Sequence, residues 1–131
     1  MSTFAFVFPG QGSQSVGMLD AWGEHPAVRD TLAEASQALG EDIGRLIHEG
    51  PKEQLDLTTN TQPVMLAAAV ACYRAWMAET GRAPAVVAGH SLGEYSALVA
   101  AGSLTLADAL PLVATNAALF EKVVEKEPAL V

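Results

Sequence analysis

The chain has 131 residues, half of them hydrophobic and 17% charged, a core-forming composition that excludes intrinsic disorder. Seven Lys and Arg stand against 15 Asp and Glu, a formal charge of −8 with no basic stripe anywhere, so nucleic acid is set aside as a partner. The length suits one domain or a piece of a larger one.

The chain begins MSTFAFVFPG, with no basic n-region and a Pro9-Gly10 turn too early for a signal peptide. Within it, FAFVF is an unbroken apolar run that predicts a strand buried on both faces. GQGSQSVGM follows as a glycine- and serine-rich loop. Pro26 opens a helix over AVRDTLAEASQAL that Gly40 closes, and EDIGRLIHEG is a shorter amphipathic segment ending at Gly50-Pro51. KEQLDLTTN reads as polar linker with room for one helical turn.

TQPVMLAAAVACYRAWMAETG predicts a long helix with Pro63 in its first turn and Gly81 at its end. The ten residues after Pro63 are apolar all round, which places them in the core. APAVVAG is the second buried strand and LGEYSALVAAG the helix after it. The last stretch, TLADALPLVATNAALFEKVVEKEPALV, is helical in period, with Pro111 predicting a break or kink near Leu110. Strands alternating with helices imply an α/β fold with a parallel sheet. Two strands are few for such a sheet, so the chain reads as the front part of a larger one.

The longest apolar run, residues 64–73, is about half of what a membrane span needs. The lone Cys72 allows no internal disulfide and fits a reducing cytosol. Its apolar neighbours make it a small core residue rather than a nucleophile. The expectation is a soluble, cytoplasmic protein.

VVAGHSLGEYSALVAAG carries the chemistry. Gly89-His90-Ser91-Leu92-Gly93 fits G-x-S-x-G, in which the turn from strand to helix is too tight for Cβ atoms at the glycines and leaves the serine exposed at the tip. The free N–H groups of the next helix point at the same place, so the Leu92 amide is a candidate oxyanion donor. The bland alternative is a serine that merely caps a helix. Parallel strands put both C-terminal ends on one side, which brings Gln11 of the first loop toward Ser91. That loop is not a phosphate cradle: Ser15 stands where G-x-G-x-x-G needs its third glycine, and Gly17 is followed by Met18 rather than Lys.

His90 neighbours Ser91, but adjacent residues in such a turn point apart, so packing or hydrogen bonding is expected of it rather than base catalysis. His25 and His48 read as surface residues, and no His, Cys, Asp or Glu cluster has metal-ligand spacing. Glu94 sits in the first helical turn, where the dipole favours a carboxylate.

FVFPGQGSQSVGM, TQP and AGHSLGEYSALVAAG closely resemble the malonyl-CoA:acyl-carrier-protein transacylases of bacterial fatty-acid synthesis, and more distantly the acyltransferase domains of polyketide synthases. The resemblance covers residues 4–113. It implies an α/β-hydrolase-like core whose inserted ferredoxin-like subdomain and C-terminal strands are absent here. It implies that Ser91 takes malonyl from coenzyme A as an ester and passes it to the phosphopantetheine thiol of acyl carrier protein, with no permanently bound cofactor. Gln11 and the Leu92 amide would form the oxyanion hole, and Gln62 and His90 would lie beside the substrate. The anionic partners would find any cationic docking surface outside this acidic segment.

Two departures accompany the likeness. The family's arginine for the malonyl carboxylate aligns with Asn116, which has no charged fork, so selectivity for malonyl is not implied. The family's catalytic histidine lies far downstream, and none of His25, His48 and His90 matches it. The expected domain plan is therefore a partial acyltransferase domain over residues 1–113 and a helical tail over 114–131 without family pattern. Truncation, a shifted reading frame or divergence would each give such a tail. Loss of a catalytic-triad member costs about 10⁴–10⁶ in turnover, so the isolated segment is expected to be a very poor catalyst. A carboxylesterase of the α/β-hydrolase class, or a non-catalytic remnant that docks another protein, are the alternative readings. The first would need an HGGG-type loop where PGQGSQ stands.

Overall fold

Strand β1 (Ala5–Phe8) and strand β2 (Val86–Gly89) pair in parallel, Ala5 opposite Val86 and Phe8 opposite Gly89. The computed structural model describes residues 3–126, and this two-stranded ladder is its sheet. A single 3-10 turn (Asp20–Trp22) precedes α1 (Pro26–Leu39), α2 (Ile43–Glu49), the short α3 (Lys52–Leu55) and the long α4 (Thr58–Thr80). After β2 come α5 (Gly93–Ala100) and α6 (Leu106–Lys126).

The helix ends follow the local chemistry. The His25 ring accepts from the Ala27 N–H at 3.1 Å and caps α1, while Asp42 accepts from Arg45 N–H at 2.9 Å and caps α2. Gly40 and Gly81 end α1 and α4 in the left-handed conformation, as their positions in the sequence predicted.

Helix α4 is the central beam. It packs against both α1 and α6, which also touch each other, and its residues from Thr61 to Leu66 are buried without a break apart from half-buried Gln62. An all-round apolar surface requires that, since no face of such a helix is content in water. Ile43, Ile47, Leu55, Leu106 and Leu110 join its own Leu66 in the core.

Pro63 is not in the first turn of α4. The helix starts at Thr58, so Pro63 is its sixth residue and removes the donor that the Thr59 carbonyl would otherwise meet. The Thr61 hydroxyl, fully buried, donates to the Leu57 carbonyl at 2.9 Å, with the Leu55 carbonyl also within its reach, and ties this end of α4 to the preceding turn. Pro111 does not break the last helix either. It falls in the second turn of α6, near enough to the end that one hydrogen bond is lost and the helix runs on to Lys126. Residues 114–126 thus continue an element begun at Leu106.

The sheet differs from expectation on one face. Phe4, Phe6 and Phe8 lie on the side of α4, where Phe6 meets Tyr73 and Trp76 with ring centroids 5.3 and 5.8 Å apart. On the other side Ala5, Val7, Val86 and Ala88 are exposed, Val7 to 71%, so the strands are not buried on both faces. None of the described elements covers that face.

Candidate active site

The two strands end side by side, and the loops that leave them meet. The His90 N–H donates to the Phe8 carbonyl at 3.1 Å and holds the second loop to the end of β1. The Gly93 N–H then reaches the His90 carbonyl at 2.9 Å, and the Glu94 N–H the Ser91 carbonyl at 3.0 Å. The chain turns from strand to helix within these residues. The cost falls on Ser91, whose φ is 54°, the one positive φ at a non-glycine position among the described residues. Such a backbone costs about 1–3 kcal/mol and persists only where its surroundings enforce it.

Close packing enforces it. A Cβ on Gly89 would lie 1.9 Å from the Gly93 carbonyl oxygen, and one on Gly93 would lie 2.1 Å from the Phe8 carbonyl oxygen. Both glycines of G-x-S-x-G are therefore required by backbone against backbone. The first loop is equally close, since a Cβ on Gly10 would come within 2.9 Å of the His90 carbonyl oxygen.

Ser91 is exposed at the tip of this turn, and the Leu92 N–H after it has no hydrogen-bond partner among the described residues. A cleft of about 330 Å³ opens here, lined by Gln62, Ser91, Leu92, Glu94, Tyr95, Asn116 and Phe120. Gln62 joins the first loop to it by donating to the Gln11 side-chain oxygen at 3.3 Å. The Gln11 side-chain amide in turn donates to the Thr58 hydroxyl at 3.1 Å. With the side chain so engaged, the Gln11 main-chain N–H is the group left without a partner among the described residues.

The structure thus brings Ser91, Leu92 and Gln62 into one cleft and links Gln11 to it through Gln62. His90 is exposed and does not line the cleft. The other two histidines are engaged elsewhere. His25 pairs with Glu79 at 2.7 Å between α1 and α4, and His48 with Asp20 at 2.7 Å. The hydrogen bond to Asp20 raises the His48 imidazole above its ordinary pKa.

Cys72 is half-buried, and loss of hydration pushes its thiol up from the ordinary value of 9.0, opposite to what a nucleophile needs. Among the described residues no group of His, Cys, Asp and Glu could hold a metal ion, and no helix is long and apolar enough to cross a membrane.

Three lining residues had no role assigned from sequence: Glu94 beyond its helix-dipole position, Tyr95 and Phe120. Tyr95 stands in the first turn of α5, directly after Glu94. Phe120 and Asn116 are four apart on α6 and so share a face, and the Asn116 side-chain amide donates to the Tyr95 hydroxyl at 3.1 Å.

The family model described as "Acyl transferase domain" matches residues 5–128, past Val113. The malonyl CoA-acyl carrier protein transacylase of Escherichia coli K12 is 59% identical over 114 residues, 86% of this chain and 37% of that protein. The crystal structure of acyl-carrier-protein S-malonyltransferase from Burkholderia pseudomallei superimposes with a TM-score of 0.86 at 66% identity. The match covers 88% of this chain and 38% of that one. A malonyl-transacylase in complex with a type II polyketide-synthase acyl carrier protein gives 0.88 at 51% identity, covering 92% of this chain and 40% of its own. This chain spans less than two-fifths of the length of that Escherichia coli relative. With an unbroken family match from β1 to the end of α6 and the G-x-S-x-G turn at its centre, the chain belongs to the acyl transferase domain family and corresponds to the N-terminal portion of the malonyl-CoA:acyl-carrier-protein transacylases.

Proposed function

We propose that this chain carries the nucleophile of a malonyl transfer from coenzyme A to the phosphopantetheine thiol of acyl carrier protein. In the first half-reaction the Ser91 hydroxyl oxygen bonds to the thioester carbon, the C–S bond breaks, and the serine proton leaves as coenzyme A departs as the free thiol. The carrier thiol repeats the exchange in reverse. The Leu92 N–H and the Gln11 main-chain N–H are the donors for the oxyanion formed in each step, and one such donor is worth about 10²–10³ in rate. Gln62 orients the first loop through its bond to Gln11.

The observation that carries this reading is the Ser91 backbone. Its positive φ, enforced by Gly89 and Gly93, holds a hydroxyl out of the fold beside an unpaired N–H at a helix start. A serine that only capped the helix would accept from the N–H groups of the first turn, yet no side-chain cap bond is made at the start of α5. The placement of this site at the C-terminal ends of parallel strands agrees with an α/β-hydrolase-like core. The carrier-bound transacylase among the structural neighbours supports acyl carrier protein as partner, and the family's fatty-acid chemistry supports a cytoplasmic location.

No histidine lines the cleft among the described residues, so the informative readout is a single turnover rather than a steady rate. The chain is loaded with labelled malonyl-CoA, freed of excess substrate, and chased with holo acyl carrier protein. Label moves to the carrier thiol from the parent and not from Ser91→Ala. Release of the label to water at the same rate with and without carrier would overturn transfer and leave hydrolysis.

A further inference from the structure

The loop that carries Gln11 is tied to the junction of α3 and α4 by two sets of side chains. Thr58 and Gln62 are four apart at the start of α4 and so share a face. They hold the Gln11 side-chain amide at both ends: its nitrogen donates to the Thr58 hydroxyl at 3.1 Å, and its oxygen accepts from Gln62 at 3.3 Å. The second tie starts from Asp56, the cap at the end of α3. Its carboxylate accepts from the Gln14 side-chain nitrogen at 3.0 Å, and the Gln14 side-chain oxygen accepts from the Gly12 N–H at 2.8 Å.

Lys52 beside it, and then Gln14, hold the Asp56 carboxyl below its ordinary pKa of 3.8. An ionised carboxylate can only accept, so Gln14 must turn its nitrogen to Asp56 and its oxygen to Gly12. The peptide that follows Gln11 is thereby fixed, while Thr58 and Gln62 fix the side chain. On the preceding side Gly10 lies against the elbow, where a Cβ would come within 2.9 Å of the His90 carbonyl oxygen. Turning the Gln11 N–H to a new direction must break one of these contacts. Neither Asp56 nor Thr58 lines the cleft. We infer that these two are positioning residues for the proposed acyl transfer, holding the Gln11 N–H in the direction that the oxyanion needs. This rests on the reading of Ser91 as the acylated residue and adds the groups that support its oxyanion donor.

The test follows single-turnover formation of the labelled ester on Ser91 of the full chain over a range of malonyl-CoA concentrations. A donor used in the transition state sets the maximal rate and not the half-saturating concentration. Loss of a donor costs about 10²–10³ and a tilt costs part of that, so Thr58→Val and Asp56→Ala should each lower the maximal rate about tenfold, with half-saturation unchanged. Thr58→Ser returns the hydroxyl and Asp56→Asn an acceptor, and each should recover most of the loss. Asn60→Ala is the packing control. Its side chain bridges the same junction, donating to the Gln54 carbonyl at 2.9 Å, so this change should lower the urea midpoint and leave the acylation rate at the parent value.

A maximal rate within about twofold of the parent in either Thr58→Val or Asp56→Ala overturns the inference while leaving Ser91 acylation intact. A loss shared by Asn60→Ala, unrecovered by the conservative variants, or expressed as a higher half-saturating concentration overturns it as well, because the junction would then act through packing alone. No label on Ser91 of the parent defeats the Ser91 reading and this inference with it.

Discussion

Gly89→Ala is the substitution that the elbow should tolerate least. The new methyl would lie 1.9 Å from the Gly93 carbonyl oxygen, about 1.5 Å short of ordinary contact, with the Gly93 carbonyl carbon at 2.0 Å and Glu94 N at 2.4 Å. All three are main-chain atoms at the start of α5, so no side chain can swing aside. Relief requires the helix to move off the strand, away from the register in which His90 N–H meets the Phe8 carbonyl. Overpacking of a tight core costs about 1–3 kcal/mol, and backbone against backbone belongs at the top of that range or above it.

Gly81→Ala is the control. Nothing lies within 4 Å of its Cβ, and its φ of +63° carries only the left-handed penalty, about 1–2 kcal/mol. Urea unfolding followed by the fluorescence of Trp22 and Trp76 reads both variants. With a slope of about 1–2 kcal/mol per molar, Gly89→Ala should lower the midpoint by roughly 2 M and Gly81→Ala by about half that. A smaller shift for Gly89→Ala than for Gly81→Ala would refute the claim that the turn excludes a Cβ.

Three further outcomes follow from the packing. Burial raises the Cys72 thiol, and only the thiolate alkylates, so its iodoacetamide rate in the folded chain should keep rising at pH values where the urea-unfolded chain has levelled off. A folded-state midpoint at or below the unfolded one contradicts this. Thr61→Val, which removes the buried hydroxyl bonded to the Leu57 carbonyl, should cost about 1–2 kcal/mol in the same urea assay, and a loss under about 0.3 kcal/mol would show that bond to be idle. Val7→Thr, at a position 71% exposed, should change stability by no more than about 0.5 kcal/mol, whereas Phe8→Ala, 3% exposed, should cost about 3–5 kcal/mol. Equal losses at the two positions would mean that the bare face of the sheet is covered after all.

Much of the fold could be read from local chemistry. Pro26, Gly40 and Gly81 punctuate helices where they should, because a fixed φ at a helix start and a left-handed turn at its end act within a few residues. The all-apolar stretch after Pro63 could only be core. The errors came from context beyond the window. Apolar strands such as FAFVF look alike whether one face or both are covered, since the covering layer is remote in sequence. Pro63 was expected in the first turn of its helix and Pro111 was expected to break or kink the last one, yet each sits in the second turn of a helix that runs on through it, where tertiary packing of α4 and α6 outweighs one lost hydrogen bond.

The site divides along the same line. Ser91 and its two glycines were visible because the turn needs those residue types in that order. The linkage from Gln11 through Gln62, and the meeting of Tyr95 with Asn116, join residues 51 and 21 positions apart and had no local signal.

The most direct test of the account is the site and stoichiometry of acylation after a single exposure to labelled malonyl-CoA. Acid quenching, digestion and mass mapping should place the acyl group as an ester on the peptide that contains Ser91, and Ser91→Ala should leave that peptide unmodified. An acyl group found on Cys72 or elsewhere, or one that persists in Ser91→Ala, would contradict the assignment of this hydroxyl as the nucleophile.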